Sequence, residues 1–195
     1  ARTGSFRDRT VDELHEWIGS DRHVFVPGCV REVRSRTRVT VEGNSGSHQV
    51  RFESPHGTLV RKEVFDAPSC SWHPIDMPVK SVEDVRVMTA LYEDCRPELD
   101  RANLDKAKAA VQAVGETASR ASGFGESPLM EFVEHLAGVE NAHFLLVDHR
   151  TDVEALLAAM HRVLLRKAEI ELEHSPADMI YLTENTSTTL ISPDQ

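Results

Sequence analysis

The chain has 195 residues, of which 32 are acidic and 22 basic, for a formal net charge of -10; 40% are hydrophobic and 6% aromatic. A chain of this length can bury a substantial core, while its acidic balance, with no basic stripe carrying interleaved aromatics, argues against nucleic acid or an anionic membrane as a partner. No apolar run approaches the roughly 18 to 20 residues of a membrane span, and Ala1-Arg-Thr-Gly-Ser-Phe-Arg-Asp8 lacks the apolar centre of a signal peptide, so the cytoplasm is the expected compartment.

Residues 1–80 read as an N-terminal strand-rich segment. Val11 to Ile18 has the pattern of a short amphipathic helix closed by Gly19, and His23-Val-Phe-Val-Pro27 reads as a strand entering a Pro-Gly turn. Thr37 to Glu42, Gln49 to Glu53 and Thr58 to Val64 then alternate apolar and polar residues at period two. With Gly43-Asn-Ser-Gly46 and Pro55-His-Gly57 between them, they predict an antiparallel β-meander. Arg31, Arg34, Arg36 and Arg38 fall along strand and turn at spacings of two or three, the pattern of an exposed face. Cys29, Cys70 and Cys95 are an odd number at wide spacings, which excludes a disulfide framework or a cysteine-rich zinc site as an expectation; Cys70 and His73 alone are two ligands short.

From Ser81 the period becomes helical. Ser81-Val-Glu-Asp84 caps a helix to about Cys95, which Pro97 stops, and a second helix runs from Leu99 to about Gly115. Ser127-Pro128 opens another, with Leu129, Phe132, Val133 and Leu136 on one face and Gly138 at its end. A short helix over Val139 to Leu146 precedes a long one from Thr151 to about His174, whose apolar stripe is Val153, Leu156, Leu157, Met160, Val163, Leu164 and Ala168. A strand over Asp178 to Leu182 follows. Helix, strand, loop and helix in succession predict an α/β protein with a parallel sheet.

In such folds the loops after the carboxyl ends of strands carry the chemistry. Two segments qualify: Ser122-Gly-Phe-Gly-Glu126-Ser127-Pro128, which reaches a helix N-terminus, and Thr183 to Thr189, with one acid, one amide and five hydroxyls. Glu184 suits a general acid or base and Asn185 an amide donor. Ser192-Pro193-Asp194-Gln195 is a capping box with no helix after it, so the chain is expected to be a piece of a larger domain. The histidines His135, His143, His149, His161 and His174 lie on or beside helices without an i, i+4 pair and read as surface or capping residues; no metal-ligating residue is assigned. Trp17 and Trp72 read as packing anchors.

The strings HSPADMIYLTENTSTTLISPDQ, ESPLMEFVEHLAGVENAHFLLVDHRTDVEALLAAMHRVLLRKAEIELE and FESPHGTLVRKEVFDAPSCSWHPIDMPVKSVEDVRVM resemble the uroporphyrinogen decarboxylase superfamily, which also contains cobalamin-related methyltransferases. The resemblance spans roughly residues 48 to 195. It implies a portion of a (β/α)8 TIM barrel, with residues 81–195 as a barrel segment truncated at the start of a helix and the meander as an N-terminal addition. It also implies a parent enzyme acting on a tetrapyrrole or a corrinoid-linked one-carbon substrate, methyl transfer favoured over the decarboxylation of uroporphyrinogen in porphyrin biosynthesis. A non-catalytic binding or assembly module is the alternative. Carried over by position, Glu184 and Asn185 become catalytic candidates, and Glu126, Ser127, Pro128 and Thr186 substrate-binding ones. The arginine-rich signature of the decarboxylases and the histidine-cysteine zinc site of the methyltransferases are both missing. The chain alone is therefore expected to be inactive and to bind no cofactor, with zinc and a corrinoid entering only in a full methyltransferase. Its expected partners are a small-molecule substrate and either the rest of the barrel or another copy of the chain.

Overall fold

A computed structural model describes residues 9–184. In chain order the elements are α1 (Val11–Ile18), β1 (Arg22–Phe25), β2 (Val30–Val33), β3 (Arg38–Gly43), β4 (Ser47–Ser54), β5 (Gly57–Asp66), β6 (Ser71–Asp76), α2 (Val82–Glu93), β7 (Arg96–Leu99), α3 (Arg101–Val114), β8 (Ala118–Glu126), α4 (Pro128–Glu131), a π-helical turn (Phe132–Ala137), α5 (Val139–Asp148), α6 (Arg150–His174) and β9 (Met179–Thr183). Among the described residues no helix is long and apolar enough to cross a membrane.

The strands form three sheets, ordered β1-β8-β9, β2-β7 and β3-β4-β5-β6. This corrects the expected portion of a TIM barrel. A barrel needs successive parallel strands joined through helices into one closing sheet. Here β1 and β8 pair in parallel, from Arg22↔Ala118 to Phe25↔Ala121, although six strands of other sheets separate them in the chain. Helix α3 joins β7 to β8, yet these two strands belong to different sheets. The helices expected after residue 81 appear, but the sequence reading placed only one strand there, and local pattern does not say which strands pair, which is what defines a barrel. The largest sheet is antiparallel throughout.

Contacts group the described residues into two compact units that interleave along the chain, residues 9–30, 99–124 and 169–181 in one and 31–98, 125–168 and 182–184 in the other. In the first, Cys29, Leu104 and Ile170 make a small apolar cluster. Beside it the buried Glu171 carboxylate accepts from the Cys29 backbone N–H at 2.6 Å and from the Ser122 hydroxyl at 3.2 Å. These two donors satisfy a charge that would otherwise be costly to bury. Burial, then the neighbouring Glu171, pushes the Cys29 thiol up to about 11. Arg120 donates from Nε to Asp178 at 2.6 Å, and the same carboxylate takes the Arg120 backbone N–H at 2.9 Å, pinning the approach to β9.

The second unit holds the larger core. Val79, Val85, Met88 and Leu91 around α2, Phe132, Val133 and Leu136 of the π-turn, Val153 and Leu156 of α6, and Phe52 and Leu59 of the meander form one cluster. Each such side chain contributes about 1.5–3 kcal/mol on full burial. The capping box at Ser81 fixes the start of α2: Asp84 N donates to Ser81 Oγ at 3.4 Å and Ser81 N to the Asp84 carboxylate at 3.1 Å. At its end Asp94 gathers the β2–β3 connection. Its carboxylate accepts from the backbone N–H groups of Ser35, Arg36 and Thr37 at 2.8–2.9 Å and from the hydroxyls of Ser35 and Thr37 at 2.7 and 3.0 Å.

Candidate functional site

The segment Ser122 to Glu126, expected as a loop, is the second half of β8, so Glu126 sits at the strand's carboxyl end. Ser127 caps the next helix, accepting from Met130 N at 3.4 Å, and Pro128 occupies the first helical position, where a missing N–H costs nothing. Glu184, just past β9, accepts the Ser127 backbone N–H at 3.0 Å. A carboxylate at the amino end of a helix is favourably placed, because the first amides there have no helical acceptor. The structure thus brings Glu126, Ser127, Pro128 and Glu184 to one helix start. Asn185 and Thr186 lie outside the described residues, as does the capping box at Ser192.

The helix that Ser127 opens changes register. After α4 the chain runs as a π-helical turn, in which each N–H reaches one residue further back than in an α-helix. Two contacts hold this turn: the Val79 N–H donates to the Leu136 carbonyl at 2.9 Å, and the Asn141 side-chain amide donates to the Val79 carbonyl at 3.0 Å. Gly138, with φ 78°, ends it in a conformation that L side chains rarely adopt. Phe132, Val133, Leu136 and Ala137 point into the core, leaving Glu131 and His135 half-buried on the other side.

There they meet Glu126. One carboxylate oxygen each of Glu126 and Glu131 and one imidazole nitrogen of His135 lie within 4.8 Å of one another. His135 Nε2 stands 3.3 Å from Glu126 Oε2. This is an ion-pair distance without hydrogen-bond alignment, since Oε2 is withdrawn from solvent and accepts no hydrogen bond. Burial raises the Glu131 carboxyl above its ordinary value against the opposing charges of His135 and Arg61, and the Glu126 carboxylate adds to the rise. Arg61 is itself 3.4 Å from Glu63, and Lys167 is ion-paired with Glu32. Two carboxyls of unlike environment beside an imidazole are the raw material of acid–base chemistry, because one can hold a proton while another accepts one.

Glu131 and His135 are not among the residues expected from the sequence. Their signal in the sequence is one Glu-x-x-x-His step rather than two histidines at i, i+4; the step puts both side chains on one helical face and is preceded by an acid at a strand end. A separate cavity of about 390 Å³ is lined in part by Tyr92, Cys95, Arg96, Arg162 and Val163. Cys95 is no thiolate nucleophile: burial, then the charge of Glu32, pushes it up to about 11. No protein-family model, curated protein or solved structure matches the chain.

Proposed function

We propose that the chain is the proton-handling part of a cytoplasmic enzyme that acts on a tetrapyrrole or a corrinoid-linked one-carbon substrate, methyl transfer ranking ahead of porphyrinogen decarboxylation. The observation that carries this reading is the convergence of Glu126, Glu131 and His135 at the carboxyl end of β8, next to the helix start that Glu184 caps. Carboxylates accept hydrogen bonds from the pyrrole N–H groups of a porphyrinogen, and a carboxyl that keeps its proton can deliver it to a carbanion left by loss of CO2 or to a departing group. The choice of substrate comes from the superfamily resemblance, and the choice of residues from the site. Glu184 supports the helix start from outside, as a positioning residue.

The test is titration of the 195-residue chain with uroporphyrin and, separately, with a cobalamin, followed by absorbance and by tryptophan fluorescence. Saturable one-to-one binding of either compound is the expected result, weakened at least about tenfold by Glu126→Gln. Binding of neither would reject the reading. A second reading, an assembly module, draws on α5, where Phe144 and Val147 are 60% and 77% exposed. A concentration-dependent dimer lost in Phe144→Ser, together with no tetrapyrrole binding, would favour it.

A further inference from the structure

We infer that Glu126, Glu131 and His135 bind one divalent first-row transition-metal ion, with zinc the best fit. The inference rests on the same cluster as the function proposed above and goes further by naming what sits within it. Three observations carry it. The donor atoms come from a rigid strand end and a core-packed helical turn, and all lie within 4.8 Å of one another. The Glu126 Oε2 to His135 Nε2 separation, 3.3 Å, is too poorly aligned for a hydrogen bond. It matches the edge of about 3.3–3.5 Å that two ligands make when each stands about 2.0–2.1 Å from a tetrahedral zinc. Finally, Glu126 Oε2 is withdrawn from solvent and accepts no hydrogen bond, facing only the poorly aligned His135 nitrogen among the described residues. A buried acceptor left in that state calls for a cation or a donor.

The donor set narrows the ion. One imidazole and two carboxylates suit zinc, manganese or ferrous iron, whereas magnesium and calcium prefer oxygen alone. Three protein ligands leave a position open to water or substrate, the pattern of a working site rather than a structural one. Of the neighbouring cations, Arg61 lies against Glu63 and Lys167 against Glu32.

The experiment uses the whole chain, stripped with chelator and titrated with Co2+ as a spectroscopic probe, then with Zn2+. One equivalent of Co2+ should give ligand-field bands in the visible that Zn2+ abolishes. Glu126→Gln and His135→Gln should each weaken binding at least about tenfold, while His161→Gln, on the exposed face of α6, leaves it unchanged. Equal affinity in wild type and both site variants would overturn the proposal. Should those variants fail to fold, the unaltered chain decides: zinc should protect His135 from carbethoxylation by diethyl pyrocarbonate, read by mass spectrometry, and equal labelling with and without zinc would overturn it. Tetrapyrrole binding with no zinc binding rejects the metal alone, and zinc binding with no tetrapyrrole binding rejects the function alone.

Discussion

Asp94 and Glu131 lie in the same compact unit and are treated in opposite ways. Asp94 collects three backbone N–H groups and two hydroxyls, and these donors outweigh burial and hold its carboxyl below the ordinary range. Glu131 is buried without comparable donors, and its carboxyl moves upward. The first arrangement makes a charge into a fastener for the β2–β3 connection. The second leaves a carboxyl whose charged form burial disfavours, with His135 and Arg61 offsetting only part of that cost. The two carboxylates thus differ in what surrounds them, and the contrast can be tried by mutation.

The largest effect belongs to Asp94→Ala, which orphans the donors around the loop and should cost about 2–4 kcal/mol in urea unfolding; an unchanged midpoint would erase the distinction. Next in size is the loss of stability in acid. Asp94 is depressed and Glu32, which burial raises but Lys167 and Arg34 outweigh, is held at about 2. Both therefore contribute stability that is present above the unfolded carboxylate values and lost as pH falls from about 4 toward 2. Glu131 works with the opposite sign, since a raised carboxyl favours the fold when protonated and disfavours it as pH climbs through its folded value. In chelator at pH 7, Glu131→Gln should consequently raise the urea midpoint, and the advantage over wild type should vanish below pH 4. A lowered midpoint at pH 7 would show that Glu131 is structural after all. The smallest change is expected from Glu184→Gln, which keeps an acceptor for the Ser127 N–H but loses its charge at the helix start. It should cost about 0.3–1 kcal/mol in the same assay.

Local patterns in the sequence carried far and pairing patterns did not. The Ser81 cap, the helix ended by Gly19 and the alternating runs 37–42, 49–53 and 58–64 are decided by neighbours a few residues apart, and each appears as an element at its place. Strand β7 escaped notice because Pro97 read as the stop of the preceding helix, although proline is admissible where its missing N–H is not needed by a partner strand. The run Ser122 to Glu126 looked like a loop for its two glycines. One of them, Gly123, lies against the Tyr181 ring, where a Cβ would stand 2.9 Å from a ring carbon, so that glycine serves close packing inside a strand. At the site, Glu126, Ser127 and Pro128 were legible from the strand-to-helix junction, but Glu131 and His135 were hidden. The apolar face of Leu129, Phe132, Val133 and Leu136 accounts for the helix by itself, and its period singles out no residue on the polar side.

The π-turn amounts to one surplus amino acid accommodated inside a helix. Deleting one residue among 132, 133 and 134 would let the ladder relax to the ordinary α-helical spacing and place the imidazole three positions after Glu131 instead of four. Residues three apart still share a helical face, so Glu131 and the imidazole would stay neighbours in a helix shorter by one residue.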